Sequence, residues 1–547
     1  MKNLLRLNNI VKSKSDKREY LLKQLPNQLK CLLISDQEAD KSSASVCVNV
    51  GGLLDPKDTS GLAHFCEHML FMGTQKYPSE NDFSQFLNQN SGHSNAYTAL
   101  DRTNYFFQVS NEAFLPTIDR FAQFFIKPLF NASSVEREMQ AVDSEHKNNL
   151  QSDLWRMMQL QRSEINKKSY FNLFSTGDLT TLNKPNIRDQ LVNFHSRYYS
   201  SHLMGMVMLS NLSLNKLENI TDELFTQIPK VETELPNFME VEPYNSTNLG
   251  YLYKIIPVTK KDELYLNWYI PDNGKDYKSK PLRYISSILG HEGKNSLVSS
   301  LISDNLATSL QTGYDIESNS FSEVYMVIQL TKKGLASWEE VVKRIVYLVK
   351  TIQEQEVNRN FFNEMQMISQ LKFDYKGKEN GSTYCSHLSA EFNKYEMSDI
   401  LTGSALIETY NEKLIKKFID TLKIDNMNIY LSSQDFKENE CKLTEPIYGT
   451  KYNKEKIPDF TLKHYNTKLD NFNLKHSIDY PPTNQFIPKN LELLKWNTEG
   501  LSSVPKLIQT DLKNLVWYKQ DTTFNLPKAI VYLQIYFNSA EYLSECK

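Results

Sequence analysis

Long apolar runs are missing from this chain of 547 residues. No stretch approaches the roughly 18 residues that a membrane-spanning helix needs, and the apolar segment Met204–Leu209 is far too short. Cysteine is scarce. The six residues Cys31, Cys47, Cys66, Cys385, Cys441 and Cys546 are scattered without C-x-x-C spacing, which argues against a disulfide framework and for reduced thiols in a cytoplasmic protein. An excess of one charge is also absent: 62 Lys and Arg face 65 Asp and Glu, for a formal net charge of −3. With no Lys/Arg block, neither a nucleic-acid nor a membrane partner is expected. The basic N-terminus has only Leu4 and Leu5 as an apolar core, so it lacks the central segment of a secretory signal. Lys2, Arg6, Lys12 and Lys14 precede the first acid, Asp16, and leave a mitochondrial presequence as the alternative. There is no internal sequence repeat and no low-complexity tract.

What is present reads as folded protein. Hydrophobic residues make up 40% and charged residues 23%, an ordinary globular composition, and the length suits about three or four domains. Cys31–Ser35, Val46–Leu53, Thr103–Val109 and Ser200–Leu209 read as strands, and Gly61–Met72 and Glu80–Asn90 as helices. Glu112–Phe125 presents Phe114, Ile118, Phe121 and Phe125 at helical spacing. A long helix is expected from Ser133 to Asn148, with Ser133 and Glu136 at capping-box spacing. After the polar, proline-bearing segment 236–247 a second set begins: strands Tyr251–Pro257, Leu264–Ile270 and Glu323–Leu330, and helices Leu282–Leu289, Ala336–Gln355 and Phe361–Phe373. Pro481, Pro482 and Pro488 mark a linker, and Leu512–Lys519 and Ala529–Phe537 read as two further strands. Strands, then helices, then returning strands favour α+β layers over a doubly wound sheet.

His64-Phe65-Cys66-Glu67-His68 is the sharpest feature. On a helix, His64 and His68 lie four apart on one face, where two imidazoles can bind the same Zn²⁺. Glu67 stands beside the second of them, so its carboxylate reaches a water activated by that metal. This is the H-x-x-E-H arrangement, in which the metal polarises a scissile carbonyl and the carboxylate moves the proton. A third ligand is required, and His93, Glu138, Asp143, Glu145 and His146 are all candidates. Glu138 and Glu145 are seven apart and share a helical face, which suits one ligand and one supporting carboxylate, in either order.

Several separate segments carry a resemblance. They are His64–Thr74, Ser94–Thr98, Thr103–Tyr105, Arg120–Phe125, Pro128–Phe130, Ala141–His146, Gly290–Gly293, Phe486–Pro488 and Leu526–Ala529. Together they resemble the insulysin branch of the pitrilysin-like zinc metallopeptidases, over most of the chain. The resemblance implies one Zn²⁺ per chain with Glu145 as third ligand, Glu138 as a supporting carboxylate and Glu67 as general base. It implies that Asn95 and Ala96 lie on an edge strand that pairs with substrate backbone, with Tyr97 an aromatic near the cleavage site. It also implies a second-domain site for the substrate's N-terminus, at Ser287–Gly293 and Thr308–Tyr314, including Gly290, Glu292, Leu310 and Thr312. There the sequence departs from the family: Gln311-Thr312-Gly313 stands where Val-Gly-Gly is usual. Cys66 reads either as a thiol-reagent target, as in this branch, or as a small buried apolar residue.

The implied architecture is α+β, with a catalytic domain over 1–240, a homologous second domain over 241–485, a linker over 486–510 and the start of a third domain over 511–547. The implied activity is zinc-dependent endopeptidase cleavage of short unfolded peptides, whether insulin-like, amyloid-like or other regulatory peptides. Full-length members resemble two bowl-shaped halves, the second supplying an Arg and a Tyr toward the developing oxyanion. This chain is similar to the first half and has no counterpart of those two residues. Their loss would cost on the order of 10²–10³ in rate. The alternatives are a non-catalytic peptide-binding or regulatory half-subunit, and a fragment of a longer enzyme. Homo-oligomerisation or pairing with a full-length paralogue are the partner arrangements that follow.

Overall fold

The computed structural model describes residues 6–7, 10–271, 274–493, 504–511, 514–521 and 526–536. Among them are two seven-stranded sheets. The first comprises β1 (Arg6–Leu7), β2 (Glu19–Gln24), β3 (Lys30–Ser35), β4 (Lys41–Val48), β5 (His93–Thr98), β6 (Thr103–Ser110) and β7 (Met204–Ser210), in the order β1-β2-β3-β7-β4-β6-β5. The second comprises β8 (Tyr251–Ile256), β9 (Glu263–Ile270), β10 (Ala307–Glu317), β11 (Phe321–Leu330), β12 (Met427–Ser432), β13 (Leu443–Thr444) and β14 (Lys451–Lys456), in the order β10-β11-β9-β12-β8-β14-β13.

The two sheets share a plan that the sequence does not display. Numbering β3–β7 and β8–β12 each from one to five, both run 1-5-2-4-3, with the first and fifth strands parallel and the remaining pairs antiparallel. In each, the third strand, β5 or β10, is left at an edge with one free side. The expected α+β class with two like units is therefore what folds.

Helices α1 (Leu62–Leu70), α2 (Asp82–Gln89), α3 (Phe114–Ile126), α4 (Ala132–Asn149) and α5 (Asp153–Glu164) follow in the first unit. Phe114, Ile118, Phe121 and Phe125 are all buried, and each such side chain stabilises by about 1.5–3 kcal/mol. Pro116 is tolerated because it sits in the first turn of α3, where its missing N–H has no helical partner. The helix Gly381–Glu391, far along the chain, covers the opposite face of this first sheet. Its Tyr384, Cys385 and Leu388 pack on Leu32, Ile34, Val207 and Leu209. Small residues let it approach: Ser45 and Ser389 hydroxyls lie 2.8 Å apart, and a Cβ on Gly205 would fall 2.5 Å from the Phe392 ring. With both faces covered, β4 is buried nearly throughout.

Some expectations need correction. The strand expected over Val46–Leu53 begins earlier, at Lys41, and ends at Val48. The capping box at Ser133 does not form: α4 starts from Asn131, and the hydroxyls of Ser133 and Ser134 donate to Glu80 instead. The helix expected over Ala336–Gln355 is broken at Ser337. Near the C-terminus the strand pair is Lys506–Thr510 with Leu515–Tyr518. Residues 529–536 hold no strand, and Ile530, Val531, Tyr532, Leu533, Ile535 and Tyr536 stand exposed. Leu512, Lys513 and Phe537 lie outside the described residues. No helix among the described residues is long and apolar enough to cross a membrane.

Candidate active site

The helix that carries the histidines is held at its start by a residue outside it. Gly61, at the N-cap, has no side chain to cap with and takes φ +86°, a conformation that favours glycine. A Cβ there would sit 2.3 Å from Gly177. The Asp55 carboxylate supplies the cap, accepting from the Gly61 and Ala63 amides at 2.7 and 2.8 Å.

From α1, His64 and His68 face α4. Their Nε2 atoms stand 3.5 and 3.7 Å from one Glu145 oxygen, Oε2. The Nδ1–H of His64 donates to the Thr176 carbonyl at 2.7 Å, and that of His68 to Glu138 Oε2 at 3.1 Å. Because a carbonyl only accepts, the Nδ1 of His64 carries a proton, which leaves Nε2, the atom toward Glu145, as the one that can ligate a metal. A tetrahedral zinc with bonds of about 2.0–2.1 Å sets its ligand atoms about 3.3 Å apart. Both imidazole nitrogens stand close to that spacing from Glu145, and the three ligand atoms, all within 4.8 Å of one another, form the group able to hold a metal ion among the described residues.

The electrostatics follow from the same contacts. Burial alone would lower His68, but its hydrogen bonds to Glu138 and Glu145 outweigh this and raise it to about 9 in the metal-free protein. Glu145 is held below the ordinary carboxylate range, chiefly by His68. Burial pushes the Glu67 carboxyl up, opposed by His64 and by the Thr98 hydroxyl, which donates to Glu67 Oε2 at 2.6 Å.

The other third-ligand candidates lie elsewhere. His93 is exposed and stands beside Ser382. Asp143 pairs with Lys147 and accepts from the Leu179 amide. His146 packs edge-on against Phe174 and Tyr448. Cys66 is fully enclosed, and burial raises its thiol well above the ordinary value, so of its two readings the buried apolar one fits.

His64, Glu67, His68, Glu138 and Glu145 line a cavity of about 630 Å³ together with Ser94–Thr98 of β5. Asn95 and Tyr97 are exposed on that free edge, while Ala96 is half-buried. A second cavity of about 660 Å³ shares Thr98, Trp155 and Ser175 with the first and reaches Tyr314–Asn319 at the end of β10. Gly290 ends the helix Pro281–Leu289, and Glu292 beyond it is exposed. A Cβ on Gly290 would lie 2.3 Å from Thr312 Oγ1, which donates to the Ser286 carbonyl at 2.8 Å. The departure at Thr312 thus fills the room over Gly290. Leu310 points into the second core, leaving only its backbone at the edge.

Asp55, Thr98 and Thr176 were not legible beforehand. Asp55 reads as part of a turn, Thr98 as one residue of a polar strand, and Thr176 acts through its carbonyl, which no side-chain pattern marks.

Residues 30–168 match "Insulinase (Peptidase family M16)", residues 186–368 "Peptidase M16 inactive domain", and residues 373–545 "Middle or third domain of peptidase_M16". Insulin-degrading enzyme of Homo sapiens is 39% identical over 535 residues, covering 97% of this chain and 52% of that protein. The A-factor-processing enzyme of Saccharomyces cerevisiae is 34% identical over 96% of this chain and 51% of its own. The crystal structure of pitrilysin superposes with a TM-score of 0.87 at 27% identity, over 95% of this chain and 55% of that one. The chain spans about half the length of the curated relatives it matches. With its two like units and its matches along nearly the whole length, this chain belongs to the insulinase, or pitrilysin-like, family of peptidases.

Proposed function

We propose that this chain is a zinc metalloendopeptidase that hydrolyses short, unfolded peptides of the insulin-like, amyloid-like or other regulatory kind. The observation that carries the reading is the convergence of His64 and His68 Nε2 on one Glu145 oxygen at 3.5 and 3.7 Å, with Glu67 in the same cavity. Two imidazole nitrogens and one carboxylate oxygen are the donor set of a catalytic zinc site, which leaves a position for water or substrate. Zinc held by His64, His68 and Glu145 supplies Lewis acidity to the scissile carbonyl and to the attacking water.

Glu67 takes a proton from that water and passes it to the leaving amine. Its burial favours the protonated form that the second transfer needs. Glu138 and the Thr176 carbonyl hold the two imidazoles in the tautomer that ligates. Asn95, Ala96 and Tyr97 offer the free edge of β5 to the peptide backbone. Gly290, Glu292, Thr312 and the backbone of Leu310 hold its N-terminal end, in a pocket made shallower by the Thr312 side chain. Peptides are the partners, with homo-oligomerisation or pairing with a full-length paralogue beside them, and the compartment is the cytoplasm.

The test is hydrolysis of an internally quenched short peptide by the full chain, with Glu67→Gln alongside. The expected result is turnover that falls by on the order of 10²–10⁴ in the variant, the size of a general-base contribution, with one zinc per chain in both. Equal turnover would overturn the assignment of Glu67.

A further inference from the structure

Thr98 ends β5, and its Cα partner across the hairpin is Thr103 of β6. The intervening loop is clamped. Gly52 and Leu53 amides donate to the Ala99 and Leu100 carbonyls at 3.0 and 2.9 Å, and a Cβ on Gly51 would fall 2.2 Å from the Ala99 oxygen. The stretch 50–55 that grips this loop also presents Asp55 to the start of α1. Thr98 on the hairpin and Glu67 on the helix are therefore fixed against the same few residues.

The protons can be assigned. Thr103 donates its hydroxyl proton to the Val50 carbonyl at 2.9 Å. Thr98 has one proton and two acceptors in reach, Glu67 Oε2 at 2.6 Å and Thr103 Oγ1 at 3.3 Å; the shorter contact takes it, with Glu67 accepting as the base form must. The 2.6 Å contact is therefore Thr98 Oγ1–H donating to Glu67 Oε2, in the length range of a charge-assisted bond. A terminal carboxylate torsion is otherwise broad.

We propose that Thr98 is a positioning residue for the base: by engaging Oε2 it fixes the plane of the Glu67 carboxylate and makes Oε1 the oxygen that takes and returns the proton. This rests on the peptidase reading. In the first transfer a water O–H bond breaks as Oε1–H forms; in the second, Oε1–H breaks as the leaving amine gains N–H. The Thr98 proton stays where it is throughout. Thr98 acts on the reaction through the Glu67 carboxylate, so its loss is expected in the chemical step and not in substrate affinity.

The experiment compares Thr98→Val, which keeps the shape and loses the hydroxyl, with Thr98→Ser, which keeps the hydroxyl. Steady-state hydrolysis by the full chain and crystal structures of both variants are the two readouts, and zinc content confirms an intact site. In Thr98→Val, kcat is expected to fall roughly 10–100-fold, as for a lost hydrogen bond to a charged group, with KM unchanged; Thr98→Ser restores kcat. In the crystals, Glu67 leaves its place in Thr98→Val and keeps it in Thr98→Ser. An unchanged kcat, or a loss confined to KM, overturns the proposal. If the parent chain turns over no faster than Glu67→Gln, the peptidase reading fails for the chain alone and the crystals decide: Glu67 unmoved in Thr98→Val overturns the positioning role, and Glu67 displaced there but not in Thr98→Ser upholds it.

Discussion

Replacing Asp55 by Ala removes the acceptor for two amides at the start of the helix that carries His64, Glu67 and His68. A lost N-cap costs about 0.5–2 kcal/mol, and each partly buried N–H left without a partner about 1–3 kcal/mol. Water entering the space left by the half-buried carboxylate offsets some of this. The net expectation is about 2–4 kcal/mol, local to α1 because Gly61 has no side chain to take over the cap. The Asp55→Asn variant would fall between, since an amide oxygen serves one N–H while the NH₂ group opposes the other.

Global unfolding of a multidomain chain is not two-state, so the assay is hydrogen exchange of the α1 amides, Phe65 to Leu70. At about 1.4 kcal/mol per tenfold, these amides should exchange on the order of 30- to 1,000-fold faster in Asp55→Ala. The long helix Trp338–Glu354 of the second unit serves as the internal reference and should not change. Unchanged protection of α1, or equal loss in both helices, would refute the idea that this carboxylate organises the histidine helix.

Glu138→Ala should weaken zinc affinity by on the order of 10–100-fold, the usual effect of losing a carboxylate that orients a ligating imidazole, as read by chelator competition. His93→Ala should leave affinity unchanged, because His93 stands beside Ser382. Asp304 is held well below the ordinary carboxylate range by Lys475, Arg344 and His476. Its folded value is lower than its unfolded one, so it contributes stability above about pH 4 that is lost as pH falls through and below the carboxylate range. The difference in urea midpoint between the parent and Asp304→Asn should accordingly be largest at neutral pH and shrink in acid.

The sequence exposed local chemistry well and long-range placement poorly. His64 and His68 were readable because four residues on a helix return to one face. Glu145 and Glu138 were readable as a pair on one face of α4, but which of them meets the imidazoles depends on how α4 crosses α1, and that came only from resemblance. The strand β4 was read late because Ser42, Ser43 and Ser45 have little strand preference; Ser43 and Ser45 meet the helix Gly381–Glu391, which needs small neighbours, while Ser42 on the other face bonds to Asn111 and Ser210. The strand β5, His-Ser-Asn-Ala-Tyr-Thr, has no alternation of apolar and polar residues because it lies at an edge with one half-buried face. The false capping box at Ser133 shows the limit of spacing rules: both serines had a better acceptor in Glu80, more than fifty residues upstream. The common strand order of the two sheets left no trace as a repeat, since topology constrains burial and not identity.

The helix Gly381–Glu391 has a consequence for how the chain can change over time. Ser386 and Ser389 on it receive hydrogen bonds from Asn104, and its Cys385 meets the Ser43 carbonyl, so it braces β4 and β6 from behind. Those strands carry the hairpin tip where Thr98 meets the base. Heredity writes this brace some three hundred residues away from the strands it supports. A shuffling event between the two units would therefore hand the first sheet an ill-fitting back, however well its own residues were kept. The two units are built alike, yet they can no longer be inherited apart.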